Sequence, residues 1–282
     1  MKTYQLGLYE KAMPNHLSFK DKLKITKQAG FDFLELSIDE TDEKLKRLDW
    51  TDAEIYKIKH IMEVEQVFIQ SICLSGHRKY PLGSQSIETQ KKSLEIMEKA
   101  IILAHRLGIR YIQIAGYDEY YQPSTKETEQ TFMKNLIKSV HMAATYGVIL
   151  AFETMETPFM NTITKAMKYV EAIDSPYLQV YPDMGNLTNA YNADVHAVLA
   201  DIRRGKGHIV AAHLKETKPG IFRNLMFGTG HTNHQACIRE LLQQQVYLFV
   251  GEFWYNDKRQ WRKNIDKSYQ FLKSQIEGAM KS

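Results

Sequence analysis

Apolar positions along the chain fall into two alternating rhythms. Short apolar runs occur at 4–9, 31–38, 68–74, 111–115, 148–152, 178–181, 209–214 and 248–253, and their length and near-continuous apolar character predict buried strands. Between them apolar residues recur at helical spacing, as at Leu94, Met97, Ile101, Ala104 and Leu107, with Gly108 behind them as a helix stop. Gly30 and Gly147 occupy the same place after two other segments. Strands alternating with amphipathic helices imply a parallel sheet covered by helices. Eight such units within 282 residues favour closure into a (β/α)8 barrel over an open doubly wound sheet. No G-x-G-x-x-G turn follows the first strand run, and no linker or low-complexity stretch divides the chain, so residues 1–282 read as one domain.

Composition narrows the class of protein. The 44% apolar and 25% charged fractions are those of an ordinary globular protein. No apolar run approaches the roughly 20 residues of a membrane span, and the first residues enter a strand pattern directly, without a signal-peptide core. Two cysteines, Cys73 and Cys237, are too few for a disulfide framework and read as reduced thiols of a cytoplasmic protein; Cys73 lies in an apolar run and is expected in the core. A net charge of +4 is mild and dispersed, which suits a small anionic substrate and argues against nucleic acid. The basic clusters at 22–27 and 258–262 are expected to be solvated helix faces.

The chemistry gathers at strand ends. The fifth strand run leads into Glu153, the sixth into Asp183, the seventh holds His213 near its end, and the eighth holds Glu252. A carboxylate at the end of an apolar strand needs a cation, a hydrogen-bond network or a raised pKa, because bare burial costs several kcal/mol. Three carboxylates and an imidazole converging from successive strands make a site for one divalent cation such as Mn2+, Mg2+, Co2+ or Zn2+. Such a cation, bound by the carbonyl and adjacent hydroxyl of a ketose, would stabilise the enediolate formed when the neighbouring C–H proton is removed. Two carboxylates on opposite sides of the sugar, Glu153 and Glu252, could then take the proton from one face and return one to the other. The long non-periodic stretches 75–86, 116–124 and 215–231 follow strands and should line the pocket.

Several long motifs carry a resemblance: G-L-Y-E-K-A at 7–12, G-F-D-F-L-E-L-S-I-D-E-T-D at 30–42, L-S-G-H-R-K-Y-P-L-G-S at 74–84, Y-P-D-M-G-N at 181–186 and H-L-K-E-T-K-P-G at 213–220. They are similar to the L-xylulose-5-phosphate and L-ribulose-5-phosphate 3-epimerases, a family of xylose-isomerase-like TIM barrels, over nearly the whole chain. The resemblance implies 3-epimerisation of a ketopentose 5-phosphate in L-ascorbate degradation. The implied metal ligands are Glu153, Asp183, His213 and Glu252, the two glutamates transferring the proton. It leaves a homodimer open. Aldose–ketose isomerisation in the same site is the alternative, and endonuclease-like phosphodiester hydrolysis a more distant one. Relatives acting on free sugars carry a histidine three positions after the metal aspartate, where this chain has Asn186. The stretch F-G-T-G-H-T-N-H at 227–234 also departs from the family pattern. With no P-loop present, the expected phosphate contacts are His77, Arg78, Lys215 and Lys218. Ser75, Glu156, Asn161 and Asn186 complete the expected substrate contacts.

Overall fold

The computed structural model describes residues 3–255 and 259–281. Eight strands, β1 (Gln5–Tyr9), β2 (Phe33–Ile38), β3 (Phe68–Leu74), β4 (Tyr111–Ala115), β5 (Ile149–Glu153), β6 (Leu178–Val180), β7 (Ala212–Leu214) and β8 (Leu248–Gly251), form one parallel sheet in the order 6-5-4-3-2-1-8-7. The remaining seam, between β6 and β7, is closed by parallel bridges Val180↔Ile209 and Asp183↔His213. The Val210 amide donates to the Val180 carbonyl at 3.0 Å and the His213 amide to that of Pro182 at 2.9 Å. The expected (β/α)8 closure is what the chain adopts.

Helices α1 (Phe19–Ala29), α2 (Asp42–Leu45), α3 (Asp52–Glu65), α4 (Ile87–Leu107), α5 (Lys126–Tyr146), α6 (Ile163–Ile173), α7 (Met184–Ala190), α8 (Val195–Arg204), α9 (His234–Gln243) and α10 (Trp261–Met280) alternate with the strands. Local chemistry sets their limits. The Ser18, Thr51, Ser86, Thr125 and Thr162 side chains accept from backbone amides at helix starts. Gly108 ends α4 at φ +75°, a left-handed conformation that few side chains tolerate. No helix among the described residues is long and apolar enough to cross a membrane.

Period-2 alternation divides each strand between two cores. On β2, Leu34, Leu36 and Ile38 face the helices, whereas Phe33 packs inside the barrel with Tyr9, Cys73, Ala151, Tyr181, Ala211 and Val250. Glu35, Ser37, Ser71 and Gln113 are also buried. They share the inward parity of Phe33 on β2 and of Cys73 on β3 and its β4 partner. The barrel interior is therefore apolar below and polar toward one rim.

One part of the charge pattern differs from expectation. Lys22 is not solvated: it is 1% exposed and its Nζ lies 2.6 Å from Glu10 Oε1. Lys44 and Arg47, both also buried, reach the same carboxylate at 2.9 and 2.6 Å, and the Ser37 amide donates to it at 3.0 Å. Lys24 and Lys27, in the same cluster, are exposed as expected, while Lys258 of the second cluster lies outside the described residues. Burial alone would raise the Glu10 pKa, but Arg47, Lys22 and Lys44 hold it well below the usual carboxylate range. The cluster ties the segments after β1 and β2 to α1 and α2. Replacing Glu10 by Gln strands three cations in a dry site, and urea unfolding should register a loss of about 3–5 kcal/mol; a loss below about 1 kcal/mol would contradict this assignment.

Candidate metal centre

The four strand-end residues meet at the carboxyl rim of the barrel. Glu153 is the last residue of β5 and pairs beside Ala115. Asp183 follows β6, and its amide donates to Thr154 Oγ1 at 2.9 Å. His213 lies in β7, and Glu252 follows β8 with its amide on the Leu214 carbonyl at 2.9 Å. One ligand atom from each lies within 4.8 Å of all the others, and all four side chains are buried. Asp183 also caps α7: Oδ1 accepts from the Asn186 amide at 2.6 Å, which leaves Oδ2 for the centre of the rim.

His213 is oriented by a residue absent from the expected site. Its Nε2 lies 2.6 Å from Glu35 Oε1, while Glu35 Oε2 accepts from Ser71 Oγ at 2.6 Å and Tyr181 Oη at 3.0 Å. With Nε2 so held, Nδ1 faces Glu252 Oε2 at 3.3 Å, Glu153 Oε1 at 3.7 Å and Asp183 Oδ2 at 4.0 Å. A carboxylate behind an imidazole is the arrangement that fixes tautomer and ring direction in metal-ligating histidines. The Gln113 amide nitrogen, 3.0 Å from Nδ1 and 3.2 Å from Nε2, lies against the ring, and Tyr181 meets it edge-on at 5.2 Å between centroids.

The electrostatics of the centre call for positive charge. Burial raises the Glu153 pKa, His213 opposes the shift and Glu252 adds to it. Asp183 is pushed well above its ordinary value by burial, against the pull of Lys215. For Glu252 the burial penalty is outweighed by Lys215 and His213, and its pKa falls well below the usual range. Burial would lower the His213 pKa, but Glu35 and Glu252 raise it well above 6.5. Four carboxyl groups, counting Glu35, thus face one imidazole and the Lys215 ammonium, and burial pushes Glu153 and Asp183 toward the neutral form because the protein brings no further positive charge to the rim. Lys215 Nζ lies 3.0 Å from Asp183 Oδ2 and 3.2 Å from Glu252 Oε2, yet neither oxygen receives a well-aligned hydrogen bond. Buried acceptors left in this state fit a divalent cation held by three carboxylate oxygens and Nδ1, a hard donor set for Mn2+, Mg2+, Co2+ or Zn2+.

The other expected contacts separate into those near the rim and those away from it. Lys215, expected on phosphate, is 4% exposed and paired with the carboxylates of the centre. His77 points into α4, with Nε2 3.1 Å from the Ser93 carbonyl, and burial lowers its pKa to about 4. Lys218 is taken up in a tight turn bridged to Ile221. Asn161 accepts from Lys165 Nζ at 2.8 Å beside α6. Asn186 donates to the Thr154 carbonyl at 2.8 Å and positions Asp183. Ser75 is buried at the end of β3, and Arg78 lies over the Tyr120 ring at 4.6 Å. Glu156 Oε1 accepts from Arg223 Nη2 at 2.6 Å and from Tyr120 Oη at 3.2 Å. Glu35, Gln113, Tyr181, Trp254 and Arg223 are the residues that sequence reasoning missed. Of these, Glu35 had a signal, a charge at an inward position of the alternating F-L-E-L-S-I strand. A cleft of about 1040 Å3 beside the rim, lined by Tyr120, Lys126, Phe159, Lys165 and Tyr169 among others, contains none of the four residues.

A closed eight-stranded barrel with a buried acid–histidine cluster at its carboxyl rim defines a class before any comparison is made. Residues 23–275 match the family described as xylose isomerase-like TIM barrel. The L-ribulose-5-phosphate 3-epimerase UlaE of Escherichia coli (strain SE11) is 41% identical over 277 residues, 98% of this chain and 96% of the relative. That of Shigella sonnei (strain Ss046) is 44% identical over 255 residues, 90% of this chain and 88% of the relative. The chain belongs to the xylose isomerase-like TIM-barrel family and, within it, to the L-ribulose-5-phosphate 3-epimerases. Solved structures of a D-tagatose 3-epimerase-like protein (TM-score 0.80, 17% identity, 98% of each chain) and of L-ribulose 3-epimerase (TM-score 0.75, 19% identity, 99% of this chain and 96% of the other) share the fold.

Two predictions follow from this geometry. Glu35→Gln removes the carboxylate behind His213, and divalent-metal affinity measured by titration calorimetry should fall about 10- to 100-fold; unchanged affinity would show that Glu35 does not orient the ring. The second concerns His77. Its folded-state pKa of about 4 lies below the ordinary 6.5, so the unfolded chain takes up the proton first as pH falls. The stability it contributes is complete above pH 6.5 and is lost progressively toward pH 4, by about 3 kcal/mol in all. Urea unfolding of a His77→Gln variant should lack that part of the acid slope, and a slope equal to the wild type's would contradict the assignment.

Proposed function

We propose that this chain interconverts the C3 epimers of a ketopentose 5-phosphate, L-xylulose 5-phosphate and L-ribulose 5-phosphate, with a divalent cation bound by Glu153, Asp183, His213 and Glu252. The observation that carries the reading is the convergence of Glu153 and Glu252, from β5 and β8, on one buried rim with His213 and Asp183 between them. The cation would supply positive charge to the sugar oxygens that become anionic when the C3 proton leaves.

The protein's own groups account for the rest. One glutamate carboxylate removes the C3 proton from its face of the sugar, and the electron pair delocalises toward the C2 oxygen. The other glutamate, protonated, delivers its proton to C3 from the opposite face, so the carbon inverts and no net proton is gained or lost. This requires the two carboxyl groups to differ in protonation, and their surroundings favour that: Lys215 lies 3.2 Å from Glu252 Oε2, whereas burial acts on Glu153 to favour the neutral form. Asp183 is held by Thr154 and Asn186, and His213 by Glu35, so neither is free to act as the second base. Tyr9 and Trp254, edge to face at 6.2 Å, give the rim an apolar wall that limits water.

A hydrolase using several metal ions would need further ligand clusters. Among the described residues Glu153, Asp183, His213 and Glu252 form the only group of three or more histidine, cysteine or acidic side chains placed to hold an ion. Metal-loaded protein incubated with L-ribulose 5-phosphate in heavy water should incorporate deuterium at C3 and yield a second ketose, and Glu252→Gln should slow both by about 10^3-fold. An aldose product would replace this reading with isomerisation, and absence of exchange with either pentulose phosphate would remove it.

A further inference from the structure

A lysine stands among the acids of the barrel rim, and the helix start that orients one of those acids also places the lysine. Lys215 follows β7 with the inward parity of His213, while Leu214 between them joins the outer core. Its backbone lies against α7: a Cβ on Gly185 would meet the Lys215 carbonyl oxygen at 2.7 Å, so glycine is what allows the approach. Thr217 Oγ1 donates to the Gly185 carbonyl at 3.1 Å and ties the same stretch to that helix. Asp183 caps α7, so one scaffold sets both the carboxylate and the ammonium.

The Lys215 side chain is buried, and its Nζ lies 3.0 Å from Asp183 Oδ2 and 3.2 Å from Glu252 Oε2. Asp183 has committed Oδ1 to the Asn186 amide, which leaves Oδ2 as the oxygen it can offer a cation. Glu252 Oε2 is the oxygen that also faces His213 Nδ1 at 3.3 Å. The ammonium therefore stands beside two atoms of the donor set. It is not aligned with either as a hydrogen-bond donor, so both oxygens keep lone pairs for coordination while feeling its charge. On its other side the Trp254 ring lies 5.7 Å from Nζ. Asp183, Glu252 and Glu153 are the charges that act on it. A fixed unit charge so close to the ligand oxygens, in a place that salt screens poorly, opposes a second cation on the same oxygens.

We propose that Lys215 is the internal counter-charge of the centre and holds down its affinity for a divalent cation, without being a ligand itself. The inference rests on the reading of Glu153, Asp183, His213 and Glu252 as the ligands, and adds the residue that sets how tightly they keep their ion. Before the ion binds, the ammonium offsets repulsion between Asp183 and Glu252 and keeps them assembled. Once it binds, the same charge works against coordination, so the ion exchanges with the medium.

Titration calorimetry with Mn2+, on protein first stripped with a chelator, reads this directly. Lys215→Met keeps the length of the stem and removes the charge, and it should bind Mn2+ at least about 10-fold more tightly than the wild type. Lys215→Arg keeps the charge and should stay within about threefold of the wild type. Urea unfolding supplies a second readout that does not depend on activity. Stripped Lys215→Met should unfold at lower urea than the stripped wild type, because its acids lose their counter-charge, and Mn2+ should raise its midpoint further than it raises the wild type's. Should the stripped variant not fold, protein folded with Mn2+ replaces it, and a chelator should remove the ion more slowly from Lys215→Met than from the wild type. Equal or weaker binding by Lys215→Met, or equal or faster loss of its ion, would overturn the inference and leave the metal centre standing. Tightening by Lys215→Arg as large as by Lys215→Met would overturn it too, since packing rather than charge would be the cause. A wild type that binds no Mn2+, and whose midpoint Mn2+ does not move, would remove the metal centre as well.

Discussion

The contact between Glu35 and His213 is the constraint on which the rest of the site depends. Glu35 Oε1 takes Nε2 of the imidazole at 2.6 Å, itself fixed by Ser71 and Tyr181, and so turns Nδ1 toward three carboxylates. A freely rotating ring would present either nitrogen, and the oxygens of Glu153, Asp183 and Glu252 would face one another without a common partner. Holding one nitrogen converts three repelling acids and a base into a coordination shell waiting for positive charge. The cost of assembling buried carboxylates is offset only by cations, and the protein supplies one of them itself in Lys215.

The barrel makes this assembly possible because parallel closure brings strand ends from distant parts of the chain to one rim. Asp183 and His213 lie thirty residues apart in number yet pair directly across the closing seam. Glu153 and Glu252 come from strands on either side of that seam. A second buried charge cluster, Glu10 with Lys22, Lys44 and Arg47, lies among α1, α2 and the segments after β1 and β2. There charge fixes the scaffold, whereas at the rim burial pushes Glu153 and Asp183 toward the neutral form in the absence of further positive charge.

Much of this was legible from the residues. Alternating apolar rhythms located all eight strands, although β2 starts at Phe33 and β7 at Ala212, inside the longer apolar runs 31–38 and 209–214. The four rim residues stood out because each is polar or ionisable at the end of an apolar strand, and the structure brings them together. Glu35 was harder to see, lying in mid-strand where a charge is rare and its partner is 178 residues away. His77 and Arg78 are adjacent in sequence, but the turn that holds them sends one side chain into α4 and the other over Tyr120, a divergence that no spacing rule foretells. Lys22 looked like its solvated neighbours because its counter-ion belongs to another segment. Arg223 sits in a non-periodic segment, where pattern carries no information about direction.

The central claim is that one cation sits among Glu153, Asp183, His213 and Glu252, with His213 turned to it by Glu35. The most direct measurement is an anomalous difference map from crystals of the Mn2+-loaded protein. The account predicts one strong peak about 2.0–2.4 Å from Nδ1 of His213 and from an oxygen of each of the three carboxylates. A peak bound elsewhere, or none at the rim with Nδ1 still turned to Glu252, would contradict it.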